Sequence, residues 1–565
     1  MGSALRFRRW LAFAVILPNV PIVLYVMLGY EEGGLDQLAI TLLRWSVFTL
    51  LYWVPVGWLL IYSNRTPVGI LRTYLASIPL FFLCVTLSLP LVGFQLHPHG
   101  ISVWSALFGA SLAMFLIVFL AVSITGLRTV WFRATLVLSL LFFAAETAWP
   151  IFIWLTTDKY TWPSSSPGSF NMVNVRIVDL EKGTVHDNLH LHVRDGKIVG
   201  IVSAQGDQTS LPTLDAVGKY LMSGMIDVHA HLDTPLRSIQ AQFDFLYFLE
   251  QEFSNVSDHR RAYLEAGVTA VRDCGGPANH LAAWKASIAQ QKLLGPRLFT
   301  VGRLITVPDG HPVGTIWKSF PFLSRQGAVL VTTPQSLIAG LDANMQAGVD
   351  AYKFIYGTIG MTQAQLSKQF LAQGLRWTND HHDISIVHIE TNAEIRDAVN
   401  DGATGVEHVS MAGVVPSDLI QQIVAHRTFV DPTFGEDVTA MQLQHISSAQ
   451  ISDRLNQTYA AIRSVAEAGG TLTVGTDAPL VAYGSGFLDE LDHFLHAGFT
   501  PQQVLIFATR NNAAYLGQSG HLGCLDSGCE ADLLLLNSNP LAGLAPLRQL
   551  AAVFRKGVLV VNHLQ

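Results

Sequence analysis

A chain of 565 residues is too long for one ordinary domain, and with 14% charged against 50% hydrophobic residues it is unusually apolar. A net charge of −7, with no basic cluster beyond the extreme N-terminus, excludes the electrostatic footprint of a nucleic-acid binder. Four cysteines are too few for a disulfide scaffold.

The apolar excess lies in residues 1–157. Five runs there, Trp10–Tyr30, Trp45–Tyr62, Thr73–Phe94, Val103–Ile124 and Thr135–Thr157, approach the ~20 residues a bilayer-crossing helix needs. Interior prolines at 18, 21, 55 and 79 argue against ordinary globular helices and are tolerated in membrane spans. The loops carry arginine alternately: Arg6, Arg8 and Arg9, then an acidic loop, then Arg65 and Arg72, then no basic residue, then Arg128 and Arg133. The positive-inside rule then predicts an integral protein of the cytoplasmic membrane, with the lipid bilayer as a partner and everything after residue 157 on the extracytoplasmic side. Glu146 in the fifth run marks either a functional position or a polar contact inside the helix bundle.

Residues 158–169 include the Pro/Ser/Gly run Trp162–Ser169 and read as a linker. Short alternating strands follow, with the turn Asp195-Gly196 between Leu189–Arg194 and Lys197–Val202. Matching pieces recur at Glu530–Asn537 and Ala551–Val561, so residues 170–222 and 518–565 are expected to pair into one small β domain.

Between them, in residues 223–517, strand-like and helix-like runs alternate eight times, the pattern of a (β/α)8 barrel. The full expectation is an α/β fold: a TIM-like barrel with a small flanking β domain, preceded by an all-α transmembrane domain of about five helices. In such a barrel, residues at the C-terminal strand ends converge on one mouth. Here those ends carry His229, His231, Asp273, Lys353, His388, His408 and Asp477. Asp227, His229 and His231 stand at i, i+2 and i+4 on one strand and share a face. The His-x-His triplet alone is weak evidence, because it recurs at His97/His99 and His190/His192. Its place at the head of the ordered set is what distinguishes it.

At these segments the chain resembles the amidohydrolase superfamily, in its imidazolonepropionase-like and Xaa-Pro dipeptidase-like branch. The resemblance rests on LMSGMIDVHAHL, AGVTAVRDCGG, AGVDAYKFI, IVHIETNAEIRDAVNDGATGVEHVS and TLTVGTDAP, in order, over about residues 170–560. It implies two divalent metal ions: His229, His231 and Asp477 at one, His388 and His408 at the other. Lys353 would bridge them as a CO2-derived carbamate, since an ammonium cannot ligate. Imidazole and carboxylate donors favour zinc. It further implies a metal-bridging hydroxide as nucleophile, with Asp477 passing its proton to the leaving nitrogen.

Other residues have two readings each. His311 is a substrate contact or a plain loop histidine, Tyr356 a substrate contact or a core tyrosine, and Arg237 a partner for a substrate carboxylate. Asp227 and Asp273 are read as supporting the site. Cys524 and Cys529 depart from the family pattern, and their four-residue separation allows a disulfide in an oxidising compartment. The expected protein is a membrane-anchored amidohydrolase cleaving amide or peptide-like C–N bonds of a small molecule of dipeptide or N-acyl amino acid type. A cyclic amide or lactone hydrolase, and a non-catalytic membrane receptor or transporter, are the alternatives. The sequence carries no signal for oligomeric state.

Overall fold

A computed structural model describes residues 160–163, 168–203, 211–232, 257–315, 317, 324, 326–358, 364–409 and 413–564. They fall in one compact unit, Asp158–Gln565.

The chain first lays down a sheet from β1 (Phe170–Asp179), β2 (Thr184–Arg194), β3 (Lys197–Ser203), β4 (Thr213–Asp215) and β5 (Tyr220–Ser223). Asp195 and Gly196 both take positive φ in the β2–β3 turn, the backbone a tight hairpin demands. Parallel strands then alternate with helices. β6 (Met225–Ala230) precedes α1 (Ser257–Glu265), and β7 (Val268–Asp273) precedes α2 (Ala278–Ala289). β8 (Arg297–Thr300), β9 (Leu304–Thr306) and β10 (Ala328–Leu330) lead to α3 (Pro334–Gln346). β11 (Ala351–Ile355) precedes α4 (Lys368–Asp380), and β12 (Ile384–His388) precedes α5 (Asn392–Asn400). β13 (Gly405–Glu407) leads to α6 (Ser417–His426), and β14 (Phe429–Asp431) to α7 (Phe434–Leu443) and α8 (Ser448–Glu467). β15 (Thr471–Leu472) precedes α9 (Ser485–His496).

β6, β7 and β11 are buried at every residue, as strands covered on both faces must be. Two parallel sheets form, β6-β7-β8 and β10-β9-β11-β12-β13-β14-β15. They meet at two seams. At one, Ala230 pairs with Ala478 and the Val228 N–H donates to the Val474 carbonyl at 3.2 Å. At the other, the Asp350 N–H donates to the Thr300 carbonyl at 2.7 Å. The strands therefore close into a barrel with helices outside it. Gly475 permits the first seam: a Cβ there would overlap Asp431 Oδ2 and the Cβ of His229.

The last strands, β16 (Leu533–Leu536), β17 (Leu550–Arg555) and β18 (Val558–Asn562), return to the first sheet. β16 pairs antiparallel with β5, giving the order β18-β17-β16-β5-β1-β2-β3 with β4 on β1. This flanking sheet has its own apolar core, containing Met172, Leu191, Leu533 and Phe554. Its two halves are hundreds of residues apart in sequence, so the barrel between them must form its connection.

The fold class expected from the sequence is corrected here. The five apolar runs fall on residues outside those described, and no helix among the described residues is long and apolar enough to cross a membrane. The longest, α8, has 20 residues. It carries Asp453, Arg454, Arg463 and Glu467, a charge load no unpaired span tolerates. What the structure supports is an α/β fold of barrel and flanking sheet. The expected placement in a membrane, with the catalytic domain on its extracytoplasmic side, is withdrawn with the transmembrane domain, and so is the bilayer as a partner.

Candidate metal centre

Several strands deliver polar groups to the C-terminal mouth of the barrel. β6 brings His229, wholly buried, and its continuation brings His231. Asp227, two residues before His229, is saturated by donors: the His229 N–H at 3.0 Å, the Tyr263 hydroxyl at 3.1 Å, and the Thr476 hydroxyl at 2.7 Å. Burial pushes its carboxyl up to about 7 despite these bonds. Asp227 thus ties β6 to the turn after β15. Asp273 takes the N–H groups of Leu232 (2.7 Å) and Gly275 (3.1 Å), fixing the loops after β6 and β7. The Gly275 carbonyl lies 3.2 Å from His231 Nδ1. A carbonyl only accepts, so Nδ1 carries the proton and Nε2 is left with a lone pair.

That Nε2 faces Asp477. Asp477 Oδ1 is 3.2 Å from both His229 Nε2 and His231 Nε2, so the three residues form one donor group. Asp477 adopts φ 55°, and its N–H donates to the His229 carbonyl at 2.8 Å. Burial opposes its charge, but the facing histidines hold its carboxyl well below the usual range. Burial pulls the His231 imidazole down, yet Asp477 against it leaves it raised on balance. His229, His388 and His408 are all depressed, burial being the largest cause, and so stay neutral as ligands must be.

Lys353, in the middle of β11, places Nζ 2.7 Å from His229 Nε2 and 3.0 Å from Glu407 Oε2. Burial pulls its amine down, but Glu407 and other anions outweigh burial and raise it. The side chain is therefore an ammonium as it stands. His388 and His408 lie with ring centroids 4.4 Å apart, and His408 is 4.7 Å from His229. The His408 Nδ1 meets the Thr433 hydroxyl at 2.9 Å. His311 stacks on His388 at 5.4 Å, and burial takes its imidazole down to about 3.

The structure thus brings His229, His231, Lys353, His388, His408 and Asp477 into one mouth, with His311 beside them. Tyr356 turns elsewhere: its hydroxyl donates to Asp397 on α5 at 3.0 Å. Arg237 lies outside the described residues. Cys524 and Cys529 are joined in a disulfide in the core of the flanking sheet. The His190/His192 pair lies on β2 of that sheet.

The sequence reading missed Glu407. This wholly buried carboxylate accepts from Arg272 Nη2 at 2.6 Å and stands 3.2 Å from His229 Nδ1 as well as beside Lys353. Burial would push it up, but His229, Lys353 and Arg272 bring it down to about 2. Arg272 in turn lies 4.2 Å over the Tyr515 ring. No local signal marked it: strict alternation would set Glu407 on the face opposite His408, and the chain leaves the extended conformation at His408, which takes φ 65°.

Comparison with known proteins identifies the family. The Amidohydrolase family profile matches residues 220–560. An imidazolonepropionase of Streptococcus gordonii is 23% identical over 431 residues, covering 68% of this chain and 93% of that protein. A protein from Bifidobacterium longum assigned as a prolidase superposes with a TM-score of 0.58 at 25% identity, over 70% of this chain and 95% of its own. The fold is also that of a Xaa-Pro dipeptidase with bound methionine, at TM-score 0.59 and 20% identity, over 69% and 99% of the two chains. With the family profile covering more than half its length, this chain belongs to the amidohydrolase family and is a metal-dependent hydrolase of carbon–nitrogen bonds.

Proposed function

We propose that the protein hydrolyses an amide or peptide-like C–N bond of a small molecule, of dipeptide or N-acyl amino acid type, at a two-zinc centre. The observation that carries the reading is the convergence of four imidazoles, one aspartate and one lysine at the mouth of the barrel.

The residues fit the metal. His388 Nε2 is buried with no hydrogen-bond partner among the described residues, a state that polar atoms in a finished core rarely show. The buried imidazoles are neutral. His229, His231 and Asp477 would hold one ion, His388 and His408 the second. Lys353 would bridge them once its amine, after losing a proton, bonds to the carbon of CO2 and releases a second proton, giving an N-linked carbamate anion. Bound zinc would supply Lewis acidity, polarising the scissile carbonyl and lowering the pKa of water from 15.7 to about 7.

The chain's own residues do the rest. Asp477 is nearly buried and held as an anion, so it can take a proton from the attacking water and return it to the leaving nitrogen. Glu407 sits against His229 Nδ1, the placement of a carboxylate that fixes an imidazole tautomer, and Arg272 balances its charge. His311 forms part of the wall over His388, where a substrate carbonyl side would lie.

Metal analysis combined with a screen of dipeptides, N-acyl amino acids and cyclic amides tests the reading. Two zinc ions per chain and turnover of one such class are expected, with a carbamate resonance after exchange into 13C-bicarbonate that Lys353→Met abolishes. Full metal occupancy without turnover of any C–N or C–O substrate would overturn it in favour of a binding protein.

A further inference from the structure

Glu436 is a buried carboxylate near the mouth that the six-residue set does not use. The run Thr433-Phe434-Gly435-Glu436 follows β14 and opens α7. Glu490 on α9 accepts from the Phe434 N–H at 2.6 Å and the Gly435 N–H at 2.9 Å, so the first turn of α7 is pinned. Glu436, the next residue, is carried by that pinned turn toward the strand ends. It is 6% exposed, and its Oε2 has no hydrogen-bond partner among the described residues.

Its neighbours are ligands. Donor atoms of His408, Glu436 and Asp477 all lie within 4.8 Å of one another, and His408 Nδ1 is 3.7 Å from Glu436 Oε2. That distance is too long for a hydrogen bond. It is right for two donors sharing one ion, since bonds of ~2.0–2.2 Å each put such atoms roughly 3–4 Å apart. The Thr433 hydroxyl at His408 Nδ1 is able to donate, so that nitrogen can stand unprotonated, and an ion would displace the hydroxyl from its lone pair. A buried carboxylate oxygen without a donor is strongly unfavourable as an anion unless a cation meets it, and the Lys353 ammonium is already engaged by His229 and Glu407.

We propose that Glu436 is a further metal donor, joining His408 at the second ion on the side that faces Asp477. The proposal rests on the two-ion reading above. It makes the second ion carboxylate-rich, a donor set that admits manganese as well as zinc.

Zinc binding by the full chain, measured against a graded chelator series, tests it. The unsubstituted protein is expected to hold two zinc ions of unequal affinity. Glu436→Gln should weaken the looser one by at least about 10-fold and leave the tighter one unchanged, with Glu436→Asp restoring part of the loss. Two zinc ions of unaltered affinity in Glu436→Gln would overturn the proposal while leaving the two-ion reading intact. A single zinc in the unsubstituted protein would instead overturn the two-ion reading itself. Should the variant not fold, anomalous diffraction from the cobalt-loaded unsubstituted protein decides: an ion within bonding distance of Glu436 supports the proposal, and one beyond about 3 Å removes it.

Discussion

Under the proposed function, Asp477 would have two jobs. Its Oδ1 faces His229 and His231 at 3.2 Å each, a ligand's position, and its depressed pKa keeps it an acceptor of protons over the neutral range. The two jobs separate on substitution. Asn keeps the shape and a ligating oxygen but cannot take a proton, so Asp477→Asn should retain metal while kcat falls about 100- to 10,000-fold. Zinc content and steady-state turnover on the same preparation check this, and near-normal turnover would remove Asp477 as the proton carrier. The legible residues of the site share one property. His229, His231, Lys353, His388, His408 and Asp477 are types that chemistry singles out, on or just after strands the sequence displays. Glu407 and Glu436 were not legible, because an acidic residue is ordinarily a solvated one. Only the short β13 and the pinned first turn of α7 turn them inward.

At the scale of elements, the continuous apolar strands were easy to read and the interrupted ones were not. Gly224–His231 stands out in the sequence because all of β6 is buried. The run Thr428–Phe434 reads as one strand, yet β14 stops at Asp431 and Phe434 already opens a helix. The reason is Thr433, whose positive φ ends the strand, and Glu490, which caps the helix from a distant element. No local pattern announces a cap that arrives from another helix. β10, paired only through β9, likewise has no periodicity to reveal it. The disulfide between Cys524 and Cys529 belongs to this scale. It closes a loop with a sequence separation of 5, and loop-closure entropy assigns so short a ring about 2 kcal/mol. Replacing both cysteines with serine should lower the chemical-denaturation midpoint accordingly and leave kcat unchanged, because the bridge lies in the flanking core. Alkylation with and without reductant, read by mass, establishes whether the bridge is formed in the purified protein.

Over the whole molecule, the barrel interior holds buried carboxyl groups of two kinds, and their balance sets how stability depends on pH. Glu407, brought down to about 2, binds fewer protons folded than unfolded. Its contribution is present above the unfolded value near ~4.3 and is lost as pH falls toward 2. Asp227, raised to about 7, and Glu490, raised to about 8, do the opposite. Their stabilisation is complete below pH ~4 and is lost as pH rises through 7 and 8. The metal-free chain should therefore be most stable at mildly acidic pH and lose stability as pH rises to about 8. A divalent cation changes the sign of the argument, since it is held by neutral imidazoles and anionic carboxylates and binds more tightly as protons leave. Urea midpoints from pH 4 to 9, with chelator and with saturating zinc, should start close together in acid and separate progressively as pH rises. Two parallel curves would mean that no proton is displaced when the ion binds, which the raised His231 imidazole and the Lys353 ammonium do not permit if they are its ligands.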